Sequence, residues 1–273
     1  MTSDFSKLFD LSGRVAVVTG GAGILGTHFC HGLASFGASV AVADVELAKA
    51  EALAAALSRE HKVKAIGVIC DVTDEAQVNG MADRIERELG PIDILHNNAG
   101  TKTGDPADFF APIDRFPMGA WKEIMAVNID GVFIVSRAIG TRMAKRGRGS
   151  IVSTSSIYGV VGCDMRIYEG SEYLGHRIST PPAYAAAKAG VIGITHYLAT
   201  LWGKDGVRVN AITPGGVESG QNDTFRKNYG ERIPMGRMAE AGEMVGALIY
   251  LASDASAYVT GQNLIVDGGL TSW

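Results

Sequence analysis

The chain has 273 residues, 47% hydrophobic and 20% charged, an ordinary balance for a globular protein and enough for a sizeable core in one α/β domain or two small ones. A net charge of −4 and a pI near 5.9 supply no overall positive field to hold nucleic acid or anionic lipid. Its three cysteines, Cys30, Cys70 and Cys163, form neither a disulfide framework nor a metal motif; residues 1–7 lack a basic-then-apolar leader and no apolar run reaches ~18 residues, so a cytoplasmic protein outside the membrane is expected.

Residues 13–19 (Gly-Arg-Val-Ala-Val-Val-Thr) are nearly all apolar, the pattern of a strand buried on both faces of a parallel sheet. Gly20-Gly21-Ala22-Gly23-Ile24-Leu25-Gly26 follows at once, then a helical run to Gly37. Residues 38–43 form the next strand and lead into Asp44. Strand, glycine turn, helix, strand and acid make the dinucleotide-binding order: the glycines admit the pyrophosphate to a helix N-terminus, and the acid takes the ribose hydroxyls. A carboxylate at Asp44 bonds a 2′-hydroxyl and repels a 2′-phosphate, and neither the turn nor Val45 offers a cation to welcome one. NAD(H) is the expected cofactor.

The alternation continues through a helix at 47–60 and a strand at 63–69 that leads to Cys70-Asp71-Val72. An amphipathic helix at 74–89 has Asp74 as its N-cap, and a strand at 92–95 runs into His96-Asn97-Asn98-Ala99-Gly100. Residues 101–118 form a polar, proline-containing loop before a long helix at 121–145, which contains Val127-Asn128-Ile129-Asp130-Gly131. The basic cluster Arg142, Lys145, Arg146 and Arg148 suits that helix's C-terminus. A strand at 150–154 reaches Ser155-Ser156, and residues 162–182 precede a helix. A strand at 207–212 leads to Pro214-Gly215-Gly216-Val217-Glu218-Ser219. A polar region to Met238, a helix at 240–252 and a strand at 263–266 ending at Asp267-Gly268-Gly269 complete the chain. With no repeat, low-complexity tract or linker, residues 1–273 are expected to form a single domain.

Within Pro182-Ala183-Tyr184-Ala185-Ala186-Ala187-Lys188, Tyr184 and Lys188 are four apart and so share a helix face. Tyrosine ordinarily titrates near ~10; a fixed ammonium beside it favours the phenolate. Bringing it to ~7 takes roughly 4 kcal/mol, within the tuning range of active sites.

With these motifs in order, residues from about 11 to 270 resemble the short-chain dehydrogenase/reductase family. The resemblance rests on the glycine turn, Asp71, Asn97-Asn98-Ala99-Gly100, Asn128, Ser156, Tyr184 with Lys188, and Pro214-Gly215. It implies an α/β fold, a doubly wound (Rossmann) parallel sheet of about seven strands with helices on both faces, and hydride transfer at the nicotinamide C4. Tyr184 would be the general acid/base on the substrate oxygen. Lys188 would lower its pKa and bond the nicotinamide ribose. Ser156, with Ser155 as its rival, would orient the substrate oxygen. Asn128 would hold a water linking Lys188 to solvent. Gly20, Gly23, Ile24 and Leu25 would line the pyrophosphate, Asp71 and Val72 the adenine, Asn98, Ala99 and Gly100 the adenosine ribose, and Val217 and Ser219 the nicotinamide amide and phosphate. A homotetramer, paired through the long helices and the last strands, is implied as well.

Two departures stand out. The family's commonest turn would place glycine at Ile24; the spacing here fits the extended branch, whereas the short chain and its Asp267-Gly268-Gly269 ending fit the shorter one. Ser156 and Tyr184 are 28 positions apart, well beyond the family's usual spacing. The insertion at about 163–182 is expected to project beside the substrate pocket, where Tyr168, Glu169 or Arg166 would bond a hydroxylated or acidic substrate; the alternative is a surface loop or subunit contact. The reading is therefore an NAD-linked oxidoreductase interconverting a secondary alcohol and a ketone on a polyhydroxylated, sugar-like small molecule. A 3-oxoacyl thioester reductase and a nucleotide-sugar epimerase or dehydratase are the enzymatic alternatives. A non-catalytic dinucleotide sensor would be expected to break the Ser156, Tyr184 and Lys188 set.

Overall fold

The computed structural model describes residues 5–101 and 104–273. Residues 1–4 of the segment read for a leader, and 102–103 of the loop before the long helix, lie outside them. β1 (Val15–Thr19) is buried along its whole length. Val15 and Val17 enter one layer with Val135, Ile139 and Met143, while Ala16 and Val18 enter the other with Phe29, Leu33 and Leu248. A strand covered on both faces needs apolar residues at consecutive positions, which is why the run lacks polar alternation.

α1 (Ile24–Ser35), β2 (Ser39–Asp44), α2 (Leu47–His61) and β3 (Ala65–Ile69) follow. α3 (Glu75–Glu88) is capped by Asp74, whose carboxylate accepts from the backbone N–H of Ala76 and Gln77 at 2.8 and 3.1 Å. β4 (Ile92–Asn97), β5 (Gly149–Thr154), β8 (Val207–Pro214) and β9 (Asn263–Val266) complete a seven-stranded sheet in the order β3-β2-β1-β4-β5-β8-β9, every pair parallel. The chain winds outward from β1 to β3, then returns to pair β4 with β1. That reversal opens a crevice beyond the carboxyl ends of β1 and β4, where open α/β sheets take their ligands.

The region expected as an irregular loop contains α4 (Pro106–Phe109), capped by Asp105. The long helix is three pieces: α5 (Met118–Met125), a π-helical turn over Ala126–Asp130, and α6 (Gly131–Arg146). Contrary to the expectation from its sequence, the continuous helix Met118–Arg146 is long and apolar enough to cross a membrane. Its contacts are those of a core helix. Val132, Val135, Ile139 and Met143 are buried, and its arginines pair with α3: Arg137 with Glu75 at 2.7 Å, Arg142 with Asp83 and Glu86 at 2.6 and 3.0 Å. Arg148 reaches the buried Asp93 at 2.6 Å. The basic cluster thus holds neighbouring elements as well as closing a helix.

The insertion is ordered. A 3-10 turn (Met165–Tyr168) and a two-stranded hairpin, β6 (Glu172–Tyr173) and β7 (His176–Arg177), lead into α7 (Pro182–Trp202). The polar region after β8 hides α8 (Asp223–Gly230). Ile167 and Tyr168 of the insertion pack with Phe225, Tyr229, Ile233 and Met238 in a core of their own. Asn228 Nδ2 ties α8 to the carbonyl of Glu169 at 2.9 Å. α9 (Val245–Ala252) begins as a 3-10 turn at Ala241–Met244.

Candidate active site

A cleft of about 850 Å³ occupies the crevice. Gly20, Gly23, Ile24, Leu25, Asp44, Asp71, Val72, Asn98, Ala99, Gly100, Asn128, Tyr184, Lys188, Val217 and Ser219 all line it. The glycine turn forms its floor. Gly20 has φ +59°, and a Cβ there would stand 2.8 Å from the Ala99 Cα; at Gly26 one would meet the Gly20 carbonyl oxygen at 2.1 Å. Only glycine allows the turn to fold this tightly under α1. Gly23, the N-cap, brings no side-chain bond, so N–H groups of the first turn remain for an anion. Ile24 starts α1 with its side chain 59% exposed, so the departure from glycine there creates no clash.

At the end of β2, Asp44 Oδ2 accepts from the Ala22 N–H at 3.0 Å and Oδ1 from the Glu46 N–H at 3.1 Å. The carboxylate is thereby fixed against the turn at the cleft wall. Sequence reasoning passed over Lys49, which also lines the cleft; its Nζ donates to Glu46 at 2.8 Å. A cation one helical turn after an acid is a visible signal, although its pairing is not. Asp71 Oδ1 accepts from Thr73 N and Oγ1 at 2.9 and 2.7 Å. Asn98 joins β4 to the turn, its Nδ2 donating to the carbonyls of Thr19 and Gly20 at 3.2 Å each.

α7 brings Tyr184 and Lys188 to the inner end of the cleft. Lys188 is buried; its Nζ donates to the Thr154 carbonyl at 2.8 Å and stands 5.7 Å from the centre of the Tyr184 ring. Ser155 Oγ donates to the Lys188 carbonyl at 2.8 Å, which occupies that hydroxyl in holding α7 to β5. Ser156 caps the next turn by accepting from the Tyr158 N–H at 3.3 Å and hydrogen-bonds Tyr184. The ring of Tyr184 packs on Phe109, Ile124 and Ala183. Asn128 sits on the π-turn. Its Nδ2 donates to the carbonyls of Ile124 and Thr101 at 2.9 and 3.3 Å, while its Oδ1 is buried without a partner.

Two expectations need correction. Burial, more than charge, governs Tyr184: desolvation pushes its hydroxyl above the ordinary tyrosine value, and the bond with Ser156 pulls the other way. Burial also draws Lys188 down to about 8. Both charged forms are penalised because both groups leave water. Secondly, Tyr168 lies in the satellite core rather than in the cleft wall, 7% exposed. Its hydroxyl pairs with those of Tyr158, at 2.8 Å, and Thr180. Arg166 is paired with Asp164 at 2.8 Å. The carbonyl of Thr154, which anchors Lys188, was not legible because no side chain marks it.

A family model described as enoyl-(acyl carrier protein) reductase matches residues 20–271. The chain is 36% identical over 272 residues to a D-threitol dehydrogenase of Mycolicibacterium smegmatis, with 96% of this chain and 95% of that one covered. It is 34% identical over 274 residues to an NADP-dependent mannitol dehydrogenase of Alternaria alternata, with 98% and 96% covered. The crystal structure of a gluconate 5-dehydrogenase from Burkholderia cenocepacia, in complex with NADP and tartrate, superposes with a TM-score of 0.86 at 34% identity, over 98% of each chain. Likeness over nearly the full length, on the same seven-stranded sheet, settles the ancestry: the chain belongs to the short-chain dehydrogenase/reductase family.

Proposed function

We propose that this protein is an NAD(H)-dependent dehydrogenase that interconverts a secondary alcohol and a ketone on a small polyhydroxylated substrate. The observation that carries the reading is that Tyr184 and Lys188 stand at the inner end of a cleft whose outer wall bears Asp44, with Ser156, which does not itself line the cleft, bonded to Tyr184 behind it. The cleft fits a dinucleotide on three counts. The glycine turn has no space for a side chain at Gly20, Gly21 or Gly26, the N-terminus of α1 lacks a side-chain cap, and the orphaned Asn128 Oδ1 is an acceptor for a water beside Lys188. When bound, the nicotinamide supplies or takes the hydride.

The chain's own residues do the rest. Tyr184 gives its proton to the carbonyl oxygen in reduction and takes it from the hydroxyl in oxidation. Ser156 orients that oxygen and stabilises its developing charge. Lys188, with a pKa brought to about 8, exchanges a proton near neutral pH and holds the nicotinamide ribose. Asn128 steadies the water through which that proton reaches solvent. Asp44 receives the adenosine ribose hydroxyls, with Asp71 and Val72 beside the adenine and Val217 and Ser219 at the nicotinamide end. The dehydrogenases of threitol, mannitol and gluconate among its relatives support a sugar-like substrate. NADP appears in two of the relatives described above; the choice of NAD here rests on Asp44. We place the enzyme in the cytoplasm as a single-domain homotetramer, consistent with exposed Phe133, Tyr197, Leu201 and Ile265 on α6, α7 and β9.

The family description favours a second reading, an acyl-thioester reductase, 3-oxoacyl being the form this site would serve. One experiment separates them: a thermal-shift titration with NAD and NADP, followed by a spectrophotometric screen of polyols, aldonic acids and 3-oxoacyl thioesters. Turnover of a polyol or sugar acid with NAD supports the proposal, whereas turnover of thioesters alone overturns it. In the Tyr184→Phe enzyme the removed proton donor should cost about 10²- to 10⁴-fold in kcat with NADH affinity unchanged. A variant retaining full turnover would remove Tyr184 from the chemistry.

A further inference from the structure

Away from the cleft, α1 and α2 bring together three metal-ligating side chains that the reaction does not use: His31 in the last turns of α1, and Glu60 and His61 at the end of α2. The donor atoms converge. His31 Nδ1 and His61 Nε2 are 3.0 Å apart, Glu60 Oε2 is 3.8 Å from His31 Nδ1, and all three lie within 4.8 Å of one another. We propose that His31, Glu60 and His61 form a binding site for a divalent transition metal, zinc being the best match.

Coordination geometry supports the assignment. Tetrahedral zinc takes nitrogen and carboxylate oxygen at ~2.0–2.2 Å, which places neighbouring ligand atoms about 3.4 Å apart. The contacts of 3.0 and 3.8 Å bracket that spacing. Two imidazoles and a carboxylate are a donor set suited to zinc and neighbouring first-row ions, and a poor one for magnesium or calcium, which take oxygen. His31 and His61 are both partly buried, whereas Glu60 is exposed, so its carboxylate is free to close the last ångström. Its present partner, Arg59 Nη2 at 3.0 Å, is itself at the surface and makes an exchangeable ion pair. Three protein ligands leave a position for water.

The site's place in the fold indicates its effect. α1 rises from the glycine turn and α2 from Asp44, so a metal at their far ends would clamp the two helices that position the cofactor walls. From Ile24 to His31 is about seven residues, or roughly 10 Å along the axis, too far for the ion to meet the reacting atoms. The ion is structural, and its absence should leave basal turnover intact.

The test uses the full-length enzyme freed of metal with a chelator, titrated near neutral pH with zinc and, separately, with cobalt as a spectroscopic probe. At zinc about 100-fold above Kd, linkage raises Tm by about 5 °C for a chain this size. Cobalt should give the visible absorption of a four-coordinate nitrogen and oxygen site. His61→Ala and Glu60→Gln should each lose the shift and the cobalt spectrum while keeping the wild-type melting temperature without metal to within a few degrees. The proposal is overturned if the wild type shows no saturable shift, or if both variants respond to zinc as it does. Magnesium should produce no shift, and an equal response to it would show generic ionic binding instead.

Discussion

Replacing Asp44 with asparagine isolates the charge on which the proposed choice of NAD rests. Asparagine keeps the shape and one carbonyl oxygen, so one of the two bonds that Asp44 accepts, from Ala22 N at 3.0 Å or Glu46 N at 3.1 Å, survives. Losing the other costs about 1 kcal/mol of local stability, tolerable in a turn also held by Asn98. The effect on binding is larger. A charge-assisted bond from ribose hydroxyl to carboxylate contributes about 1.5–3 kcal/mol, so affinity for NADH should fall about 10- to 150-fold. For NADPH the sign reverses. Two like unit charges ~5 Å apart at an effective dielectric near 20 repel by about 3 kcal/mol, and neutralising one removes that penalty. The ratio of the two dissociation constants should therefore shift by at least about 100-fold toward NADPH. Fluorescence titration with each reduced cofactor measures it directly, without a known substrate. A thermal melt checks that the turn is intact. If the ratio moves less than about threefold while the fold is unchanged, Asp44 does not read the ribose, and Lys49 at the same wall becomes the residue to test.

Two further outcomes follow from packing and protonation. Ile167→Ala removes a side chain that is 2% exposed from the satellite core joining the insertion to α8; it should loosen that unit at a local cost of about 2–4 kcal/mol and raise substrate KM several-fold with NADH affinity unchanged. An equal loss of both would show that the insertion supports the whole cleft. His96 donates from Nδ1 to the Val152 carbonyl at 3.0 Å and is fully buried, and burial lowers its pKa from 6.5 to about 3. The unfolded chain takes up the proton first, so stability is lost as pH falls from 6.5 toward 3, by at most ~1.4 kcal/mol per unit. Urea midpoints across that range should fall more steeply for wild type than for His96→Gln; parallel slopes would sink the assignment.

The elements that were legible are those whose pattern is local. β1 and β2 announce themselves because strands covered on both faces carry unbroken apolar runs, and the glycine turn because its spacing follows from backbone approach. α8 and the β6–β7 hairpin were not legible, since each is short and polar and is stabilised by the other's side of the satellite core, contacts some 50–60 positions apart in sequence. For the same reason the sequence points Tyr168 toward the pocket: a tyrosine in a polar insertion fits a substrate wall, and only the distant Phe225 and Tyr229 reveal a core position. The π-turn around Asn128 adds one residue to a helical repeat and leaves no compositional trace.

The site itself shows where spacing predicts geometry but not energy. A spacing of four positions does place Tyr184 and Lys188 on one face of α7, yet the pair does not act as an isolated ammonium beside a phenol. The Thr154 carbonyl orients the ammonium, and the walls that exclude water penalise its charge as well as the phenolate's, so Lys188 falls while Tyr184 rises. Both groups are therefore driven toward their neutral forms. A neutral tyrosine is ready to donate, which suits carbonyl reduction; alcohol oxidation requires that it first lose its proton, against burial. Ser156 is the one group that offsets this directly, through its hydrogen bond to the phenol. Its place in the proposed catalytic set thus answers an electrostatic need that the two-residue motif alone leaves unmet.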